Sequence, residues 1–394
     1  MSAVAGSILA LNSGSSSVKF ALFDKDLAVL LKGQVENIGD GLKPRMSLRD
    51  GNGGGDIALP PMLSSHADII PHLIDSLILP RAAELAGGLA GIGHRVVHGG
   101  PHFERPVVID SGIRGQIADM APLAPSHQPH NLAGIDAVFA VLPRVPQIAC
   151  FDTAFHRTLP EHRQAMPLPQ RFAELGLRRF GFHGLSYQGI VGALPALPGE
   201  VARGRVIACH LGNGCSLAGI VDGISQFTSM GFTPLDGLMM GRRPGRLDPG
   251  AVLWLVERLG GDARAVDRLL NQEAGLLGVS GISSDMRTLL ESDRPSAQLA
   301  VAMFVDRLAQ EIGAAAAAIG GIDALVFSGG IGENAAPIRA MTVEALGFLG
   351  LRLDREANAR NAATISPGDT HPSVHVVPAD EEMVIANSVA ALID

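Results

Sequence analysis

The chain has 394 residues, too long for one ordinary core and suited to two domains of about 150–200 residues each. It is 47% hydrophobic and 18% charged with a net charge of −8, which excludes nucleic acid as the main partner, because a phosphate-backbone binder needs a basic face. No apolar run reaches the roughly 18–20 residues of a membrane span, and Met1–Gly6 carries no basic residue ahead of its apolar run, as a signal peptide would. The three cysteines (Cys150, Cys209, Cys215) have no metal-ligand spacing, so reduced thiols and a cytoplasmic setting are expected.

In chain order, Ser7–Leu11 reads as a strand, Asn12–Ser16 as a turn and Val18–Phe23 as the returning strand. Asp50–Gly55 reads as a Gly-rich surface loop, and Ala67–Leu79 has helical spacing. Ile92–His98 is a strand stopped by Gly99–Gly100–Pro101; Gln147–Phe151 is a buried-type strand ending at Asp152. Arg205–Leu211, Gly212–Cys215 and Ser216–Val221 repeat the layout of strand, Asn/Gly/Ser turn, strand, which is weak evidence for an internal duplication. Pro249–Leu259 and Ala297–Ile319 read as helices, Ala324–Phe327 as a strand, Gly329–Gly332 as a turn and Ala335–Leu346 as a helix. Glu381–Ile393 closes the chain as an amphipathic helix, with Met383, Ala386, Val389 and Leu392 or Ile393 on one stripe. Strands alternating with helices make an α/β protein.

Two turns stand out chemically. Asn12–Lys19 is built of small polar residues that expose N–H groups and hydroxyls to an anion, and Ser15, Ser17 and Lys19 alternate onto one face. Lys19 does not follow a glycine, so a Walker A loop is absent. His210–Ser216, with His210, Gly212, Asn213 and Gly214, is the second turn. Taken alone, each is also an ordinary hairpin; together they predict two phosphate cradles across a cleft. Ser328–Asn334, with Gly330, Ile331, Gly332 and Asn334, joins a strand to a helix, as a nucleotide-approach segment does, but lacks GxGxxG spacing. Arg95 inside an apolar strand suits either an anionic ligand or an internal salt bridge, and Arg243 in a loop either an anion or solvent. Asp152 ends a strand, where α/β folds place chemistry. His183 lies between aromatics and glycines, and Glu381 opens the last helix. His94, His98 and His102 are spaced like metal ligands, but no acid or cysteine nearby completes a zinc set.

Nine segments, LNSGSSSVKF (Leu11–Phe20), GHRVVHGG (Gly93–Gly100), FDTAFH (Phe151–His156), FGFHG (Phe180–Gly184), HLGNGCSL (His210–Leu217), TSMGFTPLDGLMMG (Thr228–Gly241), GVSGISSDMR (Gly278–Arg287), FSGGIGEN (Phe327–Asn334) and DEEMVIA (Asp380–Ala386), resemble the acetate kinase family in order along nearly the whole chain. The family belongs with the sugar kinases, actin and chaperone ATPases. The resemblance implies two duplicated actin-like (ribonuclease H-like) domains with a cleft between them. The first would span 1–152 plus 380–394, and the nucleotide-binding second 153–379. It implies reversible phosphoryl transfer from ATP to acetate, giving acetyl phosphate and ADP, with Mg²⁺ (or Mn²⁺), in a homodimer.

By motif, the resemblance gives Arg95, Asp152, His183 and Arg243 catalytic places and lets Asn12 and Glu381, with Asp152, organise the metal. Lys19, His210, Gly212, Asn213 and Gly214 would meet the phosphates. Asp285, Met286, Arg287, Gly330, Ile331, Gly332 and Asn334 would hold the adenosine. Val97, Phe182 and Pro234 would wall the methyl pocket, beside Ser126, which stands where the family commonly has leucine. Arg242, Pro244 and Arg246 replace a commoner pattern around Arg243 and would add positive charge at the mouth; Leu185 replaces a usual threonine. The chemistry agrees, because a carboxylate is already ionised at pH 7 and needs no general base; what it needs is cations, a histidine donor and a metal. Propionate is the neighbouring substrate within the class. From another class, an actin- or chaperone-like ATPase would hydrolyse ATP without added acid, and would want a polymer interface or a peptide-binding domain.

Overall fold

The structure, a computed structural model, describes residues 6–14, 16–39, 43–50, 53–60, 62–368 and 370–393. The chain divides into two compact units, Met1–Ala154 with Asp380–Asp394, and Phe155–Ala379.

In the first unit, β1 (Ser7–Ser13), β2 (Ser17–Phe23), β3 (Val29–Glu36), β4 (Arg45–Asp50), β5 (Gly53–Ala58), β6 (Leu89–Val96), β7 (Val107–Val108) and β8 (Gln147–Phe151) form one sheet in the order β5-β4-β3-β2-β1-β6-β8-β7. Strands β1 to β5 form an antiparallel meander, whereas β6 runs parallel to β1 and β8 parallel to β6. The second unit holds β9 (Arg205–Leu211), β10 (Cys215–Val221), β11 (Ile224–Thr228), β12 (Ala324–Ser328) and β13 (Ser373–Val376) in the order β11-β10-β9-β12-β13. Its strands are antiparallel from β11 to β9 and parallel from β9 to β13. This matches β3-β2-β1-β6-β8 strand for strand, so the duplication hinted at by the two turns is a duplication of topology.

Each sheet is buried by helices. In the first unit, Leu9, Leu11, Phe20 and Ile92 pack against Ile69, Ile70 and Leu73 of the His66–Leu73 helix. On the opposite face lies the C-terminal helix Glu381–Ile393. Glycines at 91 and 93 of β6 make its seat. A Cβ on Gly93 would stand 2.2 Å from Ile385 Cγ2 and 2.8 Å from Val389 Cγ2, and one on Gly91 2.7 Å from Val389 Cγ1. The second unit packs Tyr187, Ile190 and Leu194 onto Val206, Ala208, Ala218 and Val326.

The structure differs from the sequence reading in several places. Gly53–Gly55 are not loop but open β5, an exposed edge strand held by pairing with β4; Gly51 and Asn52 lie outside the described residues. The Gly329–Asn334 segment is helical rather than a turn, with only Gly329 at positive φ (77°) and the Glu333 side chain accepting from the Gly329 N–H at 3.0 Å. On the C-terminal helix the buried stripe is Glu382, Ile385, Ala386 and Val389, not Met383. Glu382 turns inward because Lys32 Nζ meets its carboxylate at 2.9 Å.

Candidate active site

The parallel strands β1, β6 and β8 end side by side, bringing Asn12, Arg95 and Asp152 onto the face that carries the C-terminal helix. Arg95 grips Asp152 with a fork: Nε lies 3.0 and 3.1 Å from the two carboxylate oxygens, and Nη2 2.6 Å from Oδ2. Its Nη1 lies 3.4 Å from Asn12 Oδ1 and 3.4 Å from Glu381 Oε2. Asn12 Nδ2 also donates to Glu381, at 3.3 Å. Burial opposes the charge on Arg95, but Asp152 and Glu381 outweigh it and hold its pKa above the ordinary value. The internal salt bridge that the sequence allowed for Arg95 is therefore present, and Nη1 is the arm held least tightly.

Around this cluster, Lys19 is exposed and lies directly across the ladder from Asn12; Ser15, its expected partner on that face, lies outside the described residues. Val97 is buried, its N–H donating to Asn131 Oδ1 at 2.9 Å. Ser126 sits in an exposed turn just before the Gln128–Val141 helix that carries Asn131. The three spaced histidines have separate surroundings. His94 bonds Gln147 at 2.6 Å, His98 Nδ1 accepts from the Gly100 N–H at 2.9 Å, and His102 is exposed.

The second unit builds its own cluster at the β9–β10 turn. His183 is held at φ 59°, an uncommon backbone state for a residue with a side chain, at the N-cap of the Gly184–Ala193 helix. Its Nδ1 lies 2.8 Å from Ser216 Oγ, which is 2.5 Å from the Tyr187 hydroxyl. A Cβ on Gly214 would meet Arg243 Nη2 at 3.1 Å and His183 Nε2 at 3.3 Å. A cation and an imidazole nitrogen thus converge on the turn that the sequence marked as a phosphate cradle. Arg243 is anchored through Nη1 to the Pro234 carbonyl at 2.9 Å. The His210 ring lies against that of His183, tilted by 32° with centroids 4.4 Å apart, and its Nδ1 lies 2.8 Å from Ser186 Oγ. Phe182 is buried, and its carbonyl meets His156 Nε2 at 3.0 Å.

The adenosine candidates join the same turn. The Gly241 N–H donates to the Asn213 carbonyl at 3.0 Å, and a Cβ on Gly241 would stand 3.1 Å from the Ser284 carbonyl. Asp285 then caps the short Met286–Leu290 helix through the Arg287 N–H; Asp285 and Arg287 are exposed and Met286 is buried. Gly329 packs on β9, where a Cβ would meet the Leu211 carbonyl at 2.8 Å, and it opens the short helix that carries Gly330, Ile331, Gly332 and Asn334. Arg246, expected to add charge at the mouth, instead pairs with the buried Glu311 at 2.5 Å, because burial of that carboxylate demands a cation; Arg242 is exposed. Sequence reading missed Tyr187, Ser186 and the fully buried Arg339. Arg339 donates to the carbonyls of Gly332 and Glu333 at 2.8 and 2.9 Å. Tyr187 lies one helical turn after His183, a spacing that could have flagged it.

The Acetokinase family model matches residues 7–387. The acetate kinases of Rhodopseudomonas palustris and Rhizobium meliloti are 46% and 44% identical, each over 98% of both chains. Among solved structures, a Francisella tularensis propionate kinase is 36% identical with a TM-score of 0.90, covering 98% of this chain and 100% of that one. A Porphyromonas gingivalis acetate kinase is 36% identical with a TM-score of 0.88, covering 99% and 100%. This chain belongs to the acetokinase family. Acetokinase membership brings the actin-like two-domain fold and makes the chain an ATP-dependent carboxylate kinase working with a divalent metal. Asn12, Asp152 and Glu381 offer oxygen donors only, as a hard cation wants. Among the described residues no group of three His, Cys, Asp or Glu is placed to hold a metal. A sparse set of that kind suits an ion that keeps waters and substrate phosphate oxygens in its shell.

Proposed function

We propose that this chain transfers the terminal phosphoryl group of ATP directly to a carboxylate oxygen of acetate, reversibly, giving acetyl phosphate and ADP. The observation that carries the proposal is the convergence of His183 Nε2 and Arg243 Nη2 on Gly214. The acid is already a nucleophile at neutral pH, so the protein's work is to offset charge and align oxygens. Arg243 neutralises the charge of the transferring group, and a proton on His183 Nε2 gives its oxygens a further donor. The backbone of Asn213 and Gly214 cradles the nucleotide phosphates, with His210, Gly212 and Lys19 as further phosphate neighbours. Asp285–Arg287 and Gly330–Asn334 take the adenosine. Phe182 and Pro234 offer the acid's methyl group apolar surface. In the first unit, Arg95 Nη1 meets negative charge, while Asn12, Asp152 and Glu381 hold the metal. We assign that metal as Mg²⁺, with Mn²⁺ as its substitute; bound, it neutralises phosphate charge.

Curated relatives at 40–46% identity are named acetate kinase, and the propionate kinase structure stands at 36%, so acetate is the first choice and propionate the second. We further propose a cytoplasmic homodimer. All three cysteines are buried free thiols. The Pro249–Arg258 helix buries none of its residues and leaves Leu253 66% and Trp254 54% exposed, which suits a subunit contact. Among the described residues, no helix is long and apolar enough to cross a membrane. The test of substrate is acyl hydroxamate formation from ATP with acetate, propionate and butyrate. The expected order of kcat/KM is acetate, propionate, butyrate; a higher value for propionate overturns the acetate assignment, and ADP release that ignores added acid favours a plain ATPase.

A further inference from the structure

His183 can serve an anion only if its Nε2 carries a proton, because a phosphoryl oxygen accepts hydrogen bonds and an imidazole lone pair would repel it. In the neutral ring the partner of Nδ1 sets which nitrogen carries the proton. That partner is Ser216 Oγ at 2.8 Å, whose own neighbour is the Tyr187 hydroxyl at 2.5 Å. Tyr187 and Ser216 are both fully buried.

The directions of these bonds follow from counting protons. Tyr187 has one hydroxyl proton to place, and its hydroxyl lies 2.5 Å from Ser216 Oγ. Burial holds the phenol well above its ordinary pKa of 10, so the proton is present. Ser216 Oγ is the acceptor within reach of it. Having accepted from Tyr187, Ser216 directs its single proton to His183 Nδ1. Nδ1 is then an acceptor, and the ring's remaining proton lies on Nε2, on the side that meets Gly214 and Arg243 Nη2.

We infer that Tyr187 and Ser216 form a one-way hydrogen-bond relay, Tyr187 O–H to Ser216 O–H to His183 Nδ1, that locks His183 as the Nε2–H tautomer facing the transferring phosphoryl group. They are positioning residues for the transfer, and the assignment of His183 to that transfer rests on the function proposed above. The opposite direction, Nδ1–H to Ser216 to Tyr187, would spend the Tyr187 oxygen as an acceptor and turn its buried proton away from Ser216, a costly state for a buried hydroxyl. The αL backbone of His183 fixes where the ring starts, and the relay fixes which nitrogen donates.

The experiment is nitrogen NMR on the full chain labelled at histidine with ¹⁵N, at a pH where the ring is neutral, with the His183 signals assigned by their loss in His183→Asn. Wild type is expected to show a protonated Nε2 and an unprotonated Nδ1. Tyr187→Phe and Ser216→Ala should each mix the tautomers and lower kcat by about 10–100-fold, the range for losing an outer partner that fixes a histidine. The KM for ATP should stay within about twofold, since the donor acts on the transferring group. An Nδ1–H ring in wild type overturns the relay, as does full kcat in both variants. A separate outcome, normal turnover in His183→Ala, would remove the catalytic role of His183 while leaving the tautomer spectrum to judge the relay.

Discussion

Gly93→Ala probes how the C-terminal helix reaches the site. The added Cβ would lie 2.2 Å from Ile385 Cγ2 and 2.8 Å from Val389 Cγ2, far inside contact distance. Strand β6 cannot yield, being laddered to β1 on one side and β8 on the other, so the helix must. Overpacking of this kind costs about 1–3 kcal/mol, which for a unit of this size lowers Tm by roughly 2–10 °C. The helix begins at Glu381, whose carboxylate lies only 3.4 Å from Arg95 Nη1 and 3.3 Å from Asn12 Nδ2, so the displacement also reaches the proposed metal ligands. The assay is thermal unfolding beside turnover, repeated in an Ile385→Ala background. Removing the clashing methyl should make the double variant more stable than the sum of the single changes by about 1–3 kcal/mol, the range for residues in contact. Strict additivity, or a Gly93→Ala enzyme with unchanged Tm and turnover, would refute the seating of this helix on β6.

Other outcomes are expected. Arg243→Ala and His183→Ala should each lower kcat by about 10²–10³, as loss of an oxyanion-type donor does, and the double variant should lose less than the product, measured in the hydroxamate assay. Asp152→Asn leaves Arg95 largely buried without its main counter-charge and should destabilise the fold by about 3–5 kcal/mol, read by denaturant unfolding. Arg339→Leu strips the donors from the Gly332 and Glu333 carbonyls and should raise the KM for ATP more than that for acetate, by steady-state kinetics. His94 and His156 are pulled down to about 4 because burial disfavours their charged forms. Their folded pKa values lie below the unfolded ones, so the stability they contribute is present above about pH 6.5 and is lost as pH falls toward about 4. His94→Gln should flatten that limb of the unfolding curve.

What could be read from sequence was mostly local. The Asn12–Ser16 and Gly212–Cys215 turns announce themselves because small polar residues and glycine are what an exposed backbone needs, and the strands beside them are apolar and β-branched. Arg95 was visible as a charge in an apolar strand, but its partner Asp152 lies 57 residues on, and Glu381 meets Asn12 from 369 residues away. No local pattern joins residues at that separation; only the family resemblance placed them together. Gly53–Gly55 was misjudged as loop because strand pairing at an exposed edge asks little of side chains. Glu382 was missed as a buried position because an acid at a helix start is ordinarily solvated, and Lys32, which draws it in, belongs to a distant strand. The contact of Tyr187 with Ser216 was silent for the same reason, its partners being 29 residues apart and joined only by the fold.

The central claim is that a carboxylate oxygen attacks the terminal phosphorus of ATP. Acetate labelled with ¹⁸O in both oxygens, incubated with the enzyme and ATP and then with hydroxylamine, tests it in one step, because hydroxylamine attacks the acyl carbon and leaves the bridging oxygen on phosphorus. The account predicts released phosphate that carries one ¹⁸O by mass spectrometry. Unlabelled phosphate, formed whether or not acetate is present, would contradict it.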